Sequence, residues 1–162
     1  MMRYIGVKLI NATAMTREEY NELRGWKVPA DENPDDEGYL VEYVDGGKPN
    51  HPDFAGYISW SPKDVFERAY RPVQNMTCGQ AIEAMKQGAK VARAGWNGSG
   101  MFAYYVPANS YPAQTGVAKQ HFGDGALVPY RAYLALKTAQ GDVATWAPSC
   151  SDALAEDWLI VE

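Results

Sequence analysis

The stretch VARAGWNGSGMFAYYVP, residues 91–107, contains side chains that a simple turn does not require. It gathers Arg93, Trp96, Asn97 and Met101 around three glycines and then continues into an apolar segment. A tryptophan ring offers a nucleobase a stacking face, and a guanidinium is a planar fork of hydrogen-bond donors. The glycine spacing is not a dinucleotide-binding fingerprint, and an ordinary hairpin turn would also explain it. These side chains therefore either stabilise the fold or bind a ligand.

Residues with catalytic chemistry are scattered along the chain. His51 and His121 each lie in a turn-rich stretch, where a histidine is usually solvated. Cys78 lies at the start of a predicted amphipathic helix, whose dipole would favour a thiolate, although a small core residue is the commoner role. The sequence has no phosphate-binding loop, zinc-protease or nucleophile-elbow motif. We predict no catalytic residue, no metal ligand and no cofactor.

The aromatic residues favour rings with a polar tip. The chain has 5 tryptophans and 11 tyrosines against 4 phenylalanines. Such rings are enriched where one side is buried and the other meets water or a ligand. Several lie in the second half of the chain: Trp96, Tyr104, Tyr105, Tyr111, Tyr130, Tyr133 and Trp146. Alternatively, alternate members of this set pack a sheet and a subunit interface.

The acidic composition narrows the classes of partner. The net charge of −5 leaves few basic side chains for the phosphates of polymeric nucleic acid or for an anionic membrane. The chain has no apolar run of about 18 residues, and its start does not resemble a signal peptide. Cys78 and Cys150 form neither a metal-binding spacing nor a disulfide framework. We expect a cytoplasmic protein with reduced thiols.

The first half is predicted to form strands and two short helices. Thr16 and Glu19 form a capping-box pattern that starts one helix, and Gly25 ends it. Ser61 as N-cap and Pro62 as the first helical residue start a second helix over 61–70. The alternating or β-rich segments predicted as strands are residues 4–12, 39–44 and 56–60.

The second half is predicted to be a helix followed by strands. Thr77 and Gln80 form a capping-box pattern, and the helix that they start ends at Gly88. Residues 108–129 have no periodicity and are predicted to form a long loop. Residues 149–157 hold one or two helical turns. The predicted strands are 90–96, 100–107, 130–139, 143–148 and 158–162. We predict an α+β fold of two small modules, residues 1–73 and 76–162, the second with an antiparallel sheet.

Two long motifs in the second module resemble a known family. They are CGQAIEAMKQGAKVARAGWNGSGMFAYYVP and YRAYLALKTAQGDVATWAPSCSDALAEDWLIV. The segments G-x-KVAR-x-GWNG-x-GM and W-x-PS-x-x-D-x-LAEDW recur together and in order in the second Thoeris anti-defence family. The resemblance covers residues 76–162, about half of the chain. The first half resembles a separate phage-associated module, for which the resemblance implies no activity.

The resemblance implies sequestration rather than catalysis. In Thoeris antiphage defence, a TIR enzyme converts NAD into a cyclic ADP-ribose signal. Members of this family resemble molecular sponges that bind glycocyclic ADP-ribose without cleaving it. They are expected to form homotetramers with ligand pockets between subunits, and some also hold cyclic dinucleotides, the signals of the CBASS defence. The expected location is the cytoplasm of the infected bacterial host.

The candidate ligand-binding residues suit such a ligand. Adenine would stack on Trp96, and the pyrophosphate would bind Arg93 and the backbone near Gly98. Ribose hydroxyls would bind Asn97, Asp152 or Asp157. In PSCSDALAED, a serine at 149 or 151 could equally be a helix cap. The full candidate set is Arg93, Trp96, Asn97, Gly98, Met101, Tyr104, Trp146, Ser149, Asp152 and Asp157.

Two other functions remain open at this point. A hydrolase of nucleotide signals would use Asp152, Asp157 or His121 as general base, which requires a shifted pKa in a closed site. A phage structural or host-interaction protein would use the first half as its binding surface. Its acidic loop, DENPDDE at 31–37, could then face a basic partner, although a solvated loop is the simpler interpretation.

Overall fold

The computed structural model describes all residues, Met1 to Glu162, as two compact units. They span Met1–Arg71 and Pro72–Glu162. Both units combine helices with antiparallel strands, which confirms the predicted α+β class. None of the helices is long and apolar enough to cross a membrane.

The first unit is a small antiparallel sheet with two helices. Strand order is β1-β2-β3, and the core contains Tyr20, Leu40 and Ile58. The predicted Thr16–Glu19 capping box is present at the first helix, and Gly25 ends that helix in the left-handed conformation, at φ 68°. The elements are β1 (Asn11–Ala14), α1 (Arg17–Arg24), β2 (Gly38–Tyr43), β3 (Tyr57–Pro62) and α2 (Lys63–Ala69).

Two predictions in the first unit are wrong. The strand expected from residue 4 begins only at Asn11: β2 ends at Tyr43, so the β1–β2 register leaves residues 1–9 with no residue of β2 opposite them. The second helix has Pro62, not Ser61, as its N-cap, and its cap makes no side-chain hydrogen bond. Ser61 instead belongs to β3, where it pairs with Tyr39.

The second unit is a five-stranded antiparallel sheet that carries one main helix. The strand order is β10-β4-β5-β8-β9. The last strand of the chain, β10, thus pairs with β4, the first strand of this unit in sequence. Its elements are α3 (Cys78–Lys86), β4 (Lys90–Arg93), β5 (Phe102–Val106), β6 (Asn109–Pro112), α4 (Gly116–Phe122), β7 (Leu127–Tyr130), β8 (Tyr133–Lys137), β9 (Val143–Trp146), α5 (Cys150–Ala153) and β10 (Trp158–Val161). This confirms the predicted helix followed by an antiparallel sheet.

The core of the second unit lies between α3 and one face of the sheet. Ala81 and Met85 of the helix pack against Val91, Ala103 and Trp158 of the strands. All five are nearly or fully inaccessible to solvent. Because side chains alternate along a strand, the residues next to these in sequence point to the opposite face of the sheet.

The long loop predicted over residues 108–129 is wrong. This stretch forms the two-stranded ribbon β6-β7 with the short helix α4 between its strands. Thr115 caps α4 by accepting a hydrogen bond from Ala118 N–H. The ribbon gives little periodic signal because its strands have only four residues each and include Pro112 and Pro129.

Candidate functional site

Arg93 is the last residue of β4, which pairs with β10, the last strand of the chain. The antiparallel register places Arg93 opposite Trp158, so Asp157 of the preceding turn comes next to its guanidinium. Arg93 Nε donates to Asp157 Oδ1 at 2.8 Å, and Nη1 donates to Asp152 Oδ1 at 3.0 Å. The guanidinium thus joins β4 to α5 and to the turn before β10.

Asp152 is the most highly connected polar residue of this unit. It is the third residue of α5, and Ser149, not Ser151, is the N-cap in a full capping box with it. Its Oδ1 accepts from both Arg93 and the indole N–H of Trp96, the latter at 3.2 Å. Its Oδ2 accepts from Ser149 Oγ at 2.7 Å, and its backbone carbonyl accepts from Trp158 Nε1 at 3.0 Å.

The charges in this cluster stabilise one another. Burial opposes ionisation of Asp152, but hydrogen bonds from Ser149, Arg93 and Trp96 outweigh it and lower its pKa to about 2. Hydrogen bonding from Arg93 also lowers the pKa of Asp157, and the two carboxylates raise the pKa of Arg93. The cluster is therefore one cation held between two anions.

Three tryptophans pack together beside this ion cluster, and two of them, Trp96 and Trp158, donate hydrogen bonds to Asp152. The ring of Trp96 is 5.4 Å from that of Trp158 and 5.9 Å from that of Trp146, in edge-to-face contacts. Trp146 and Trp158 are also edge to face, at 5.8 Å. Trp158 is fully buried, whereas Trp96 and Trp146 are partly exposed. Aromatic contacts of this geometry stabilise a fold, so Trp96 has a structural role whatever else it does.

The loop between β4 and β5 is fitted closely to its own side chains. Gly95 N–H donates to Asp157 Oδ2 at 2.9 Å, which fixes the start of the loop to the ion cluster. A Cβ on Gly98 would overlap Met101 Sδ, so the absence of a side chain at 98 makes room for Met101. Asn97, between these glycines, is exposed.

Tyr104 lies on the other side of the sheet. In β5, Ala103 and Tyr105 face the core with α3, so Tyr104 points to the opposite face, next to Phe102 at 5.9 Å between ring centres. A single copy of this unit therefore cannot place Tyr104 and Trp96 in one pocket. The candidates that the structure brings together are Arg93, Trp96, Trp146, Ser149, Asp152 and Asp157.

Pairing among the candidates is the feature that sequence reasoning missed. The sequence predicts that Arg93 binds a phosphate and that Asp152 or Asp157 binds ribose, whereas the structure bonds Arg93 to both aspartates. The sequence does carry a weak signal for this. Arg93 is the last residue of β4 and Asp157 directly precedes β10, so a charge pair at this end of the two strands follows once they are adjacent.

The other reactive side chains have structural surroundings. Burial raises the pKa of the Cys78 thiol, so the thiolate interpretation is wrong and Cys78 belongs to the core. His51 Nδ1 accepts from Asp53 N–H, and Nε2 lies 3.2 Å from Leu23 O, which ties a loop to α1. His121 is on the exposed surface of α4, not in a loop. No three His, Cys, Asp or Glu side chains are grouped to hold a metal ion.

The acidic loop of the first unit forms ion pairs within its own unit. Arg17 bonds Glu32 at 2.6 Å and Asp36 at 3.3 Å, and its guanidinium lies over the Trp60 ring at 4.4 Å. Lys63 pairs with Glu37 at 2.7 Å. All of these residues except Glu32 line an open cleft of about 540 Å³. Three of the loop's carboxylates are thus neutralised internally, which weakens the case for a basic partner.

Comparison with known proteins identifies the family to which the second unit is related. The sequence profile of the Thoeris anti-defense 2-like domain matches residues 76–161. A protein named Thoeris anti-defense 2, from Bacillus phage SP01, is 37% identical over 89 residues, which are 53% of this chain and 94% of that protein. The profile match includes every candidate residue from Arg93 to Asp157. The resemblance of the first half to a phage-associated module stays a prediction. More than half of the chain thus carries the profile, and the chain belongs to the Thoeris anti-defense 2-like family.

Proposed function

We propose that this protein counters Thoeris defence by binding glycocyclic ADP-ribose in its second unit and withholding it uncleaved. The observation that carries the proposal is the family match, because it extends over almost the whole of the second unit. The relative that it resembles is named for action against Thoeris. The place of action is the cytoplasm of the infected host.

The chemistry around Trp96 suits a ligand with one base and a pyrophosphate. The ring is partly exposed, so adenine can stack on it from the solvent side. A guanidinium has five N–H groups, and three of those of Arg93 are directed at Asp152 and Asp157. The remaining two can donate to a phosphate oxygen, together with backbone N–H groups near the exposed Asn97.

The state of the two aspartates supports binding without cleavage. A general base works best when its pKa lies near the working pH. The pKa of Asp152 is about 2, and Arg93 lowers the pKa of Asp157. Both carboxylates are thus weak bases that already accept hydrogen bonds. This argues against the hydrolase alternative that depends on either of them.

Assembly into a homotetramer is part of the proposal. Tyr104 and Trp96 are on opposite faces of the sheet, so both contact one ligand only when two copies contribute. Large apolar side chains of the second unit are exposed and available for subunit contacts, namely Val117, Leu127 and Leu154, at 78%, 64% and 84%. Cyclic dinucleotides would bind elsewhere on the same assembly.

A thermal-shift panel tests the proposal. A ligand that binds only the folded protein stabilises it by RT ln(1 + [L]/Kd), so its melting temperature rises with the logarithm of the ligand concentration once that exceeds Kd. Glycocyclic ADP-ribose is expected to raise it, and linear ADP-ribose is the matched control with the same base and phosphates. Cyclic dinucleotides form a second arm of the panel. An unchanged melting temperature with every cyclic ADP-ribose isomer would contradict the proposal.

A further inference from the structure

The pair Asn97–Gly98, in the loop between β4 and β5, has two amide groups that make no hydrogen bond within the protein. The Asn97 side chain is exposed, and neither its carbonyl oxygen nor its NH2 group has a partner. The backbone N–H of Gly98 likewise donates to no atom of the chain. An asparagine side chain and the backbone nitrogen that follows it are the two reactants of deamidation. At this pair both reactants are free to move.

Glycine at the second position favours the reaction between them. The nitrogen of Gly98 must approach Asn97 Cγ closely enough to close a five-membered ring. A side chain on the residue that carries this nitrogen would obstruct the approach, and it would also restrict the backbone rotation that the ring requires. Glycine has no side chain and the least restricted backbone.

The other asparagines of the chain lack this combination, because Asn-Gly occurs only at 97–98. Asn33 precedes Pro34, which has no N–H to lose. Asn75 precedes Met76, whose N–H donates to Trp158 O at 2.8 Å. The remaining four hold their side-chain amides in hydrogen bonds, namely Asn11, Asn21, Asn50 and Asn109.

We propose that Asn97 deamidates spontaneously in the folded protein, with the backbone nitrogen of Gly98 as the nucleophile. This nitrogen loses its proton to the solvent and forms a bond to Asn97 Cγ. The bond from Cγ to Nδ2 then breaks, and the amide nitrogen leaves as ammonia. The five-membered succinimide that results is opened by one water molecule at either of its carbonyl carbons. The products are aspartate and isoaspartate, and no oxidant or reductant takes part.

Each product adds a carboxylate to the loop whose backbone N–H groups we assign to the ligand phosphates. This consequence rests on the proposed function, whereas the deamidation does not. The ion cluster beside the loop already holds one cation, Arg93, between the two anions Asp152 and Asp157. A further negative charge would repel a pyrophosphate, because like charges brought together on binding weaken a complex. Isoaspartate also lengthens the main chain next to Gly98, against which Met101 is fitted. We therefore expect the protein to lose binding capacity as it ages.

Mass spectrometry of the full-length chain tests the modification. The folded protein is incubated at mildly alkaline pH and then digested with chymotrypsin, which separates Asn97 from Asn109 because aromatic residues lie between them at 102, 104 and 105. The peptide with Asn97 is expected to become a mixture of aspartate and isoaspartate at least about tenfold faster than the peptide with Asn109, whose nucleophile carries a side chain. The control is Asn97→Gln, whose longer side chain would have to close a six-membered ring.

The same chain in guanidinium chloride shows what the fold contributes. A folded chain in which Asn97 keeps its amide would overturn the proposal, and the denatured chain would then tell whether the fold or the local sequence protects it. Equal rates at Asn97 and Asn109 in the folded chain would overturn it as well.

Binding of glycocyclic ADP-ribose by fresh and aged samples tests the consequence. The deamidated protein is expected to bind at least about tenfold more weakly than the fresh protein. The aged Asn97→Gln chain should bind as its own fresh sample does. Equal affinity of fresh and deamidated protein would overturn the effect of the new carboxylate. A fresh protein that does not bind would count against the proposed function, while the mass spectra would still decide whether Asn97 is modified.

Discussion

Asp152 Oδ1 accepts hydrogen bonds both from Arg93, the last residue of β4, at 3.0 Å and from the indole of Trp96, in the turn that follows, at 3.2 Å. One carboxylate oxygen thus fixes both the cation and the aromatic ring that the sequence marks as ligand-binding. Asp152 is therefore a positioning residue for the proposed pocket as well as a helix-capping one.

The substitution Asp152→Asn is expected to destabilise the protein. In the wild type, Ser149 N–H and Oγ donate to Asp152 Oδ2, and in the variant they would face the N–H groups of an amide, which cannot accept. The substitution also removes one negative charge from the cluster around Arg93. Unsatisfied buried polar groups cost about 1–3 kcal/mol each. Urea denaturation measures the change. The control is Asp124→Asn, an exposed carboxylate paired with Lys119, for which at most about 1 kcal/mol is expected. Equal effects of the two changes would contradict the role of Asp152.

Stability is expected to fall in acid because of the same carboxylate. Asp152 has a folded-state pKa of about 2, below its ordinary value of 3.8, so its contribution is complete above about pH 4. This contribution is lost as the pH falls through 2. A shift of this size corresponds to about 2 kcal/mol. Unfolding free energies from pH 6 to pH 2 are the measurement. The difference between the wild type and Asp152→Asn should narrow below pH 4, and a constant difference would argue against this linkage.

Two substitutions of Trp96 separate its structural role from its proposed ligand role. Trp96→Phe keeps an aromatic face but loses the N–H to Asp152, so about 1 kcal/mol of stability should be lost with binding weakened less than tenfold. Trp96→Ala removes the face as well and should weaken binding by about 1–3 kcal/mol. It also loses its contacts with Trp146 and Trp158, up to about 3–5 kcal/mol of stability. Affinity and melting temperature are measured on both variants. Full affinity in a folded Trp96→Ala protein would remove Trp96 from the pocket.

The fit of Met101 against Gly98 predicts a compensating pair. Gly98→Ala places a methyl group where Met101 Sδ now lies, so about 1–3 kcal/mol of stability should be lost through overpacking. In a Met101→Ala background the same change should cost less than about 1 kcal/mol, because the space is then free. A double-mutant cycle in urea measures the coupling. Independent, additive effects would mean that the two residues do not share this space.

Local rules predicted much of the fold from the sequence. The Thr16 and Thr77 capping boxes are present as expected, because each depends on residues only three positions apart. Strand ends were less predictable. The strand expected over 90–96 ends at Arg93, where Ala94 N–H bonds Asp157 O, a contact 63 residues distant that no local pattern contains. The ribbon β6-β7 was missed because its pairing, not its composition, defines it.

The candidate site was predictable as a set of residues but not as an arrangement. The motif around Trp96 and the motif around Asp152 both contribute to the cluster in the structure. Their mutual bonding arises from the adjacency of β10 and β4, which belong to opposite ends of the second unit. The closeness of Tyr104 and Trp96 in sequence predicts a shared pocket, but strand alternation places Tyr104 on the other face of the sheet.

Capture and release of the signal tests the central claim most directly. The protein is incubated with a limiting amount of glycocyclic ADP-ribose, filtered to separate the free signal, and then heat-denatured. Sequestration predicts that the free signal is depleted by up to about one ligand per site and returns chemically intact after denaturation. Recovery of a linear or hydrolysed product, or turnover beyond one ligand per site, would show an enzyme instead. A signal that stays free in the filtrate would contradict binding itself.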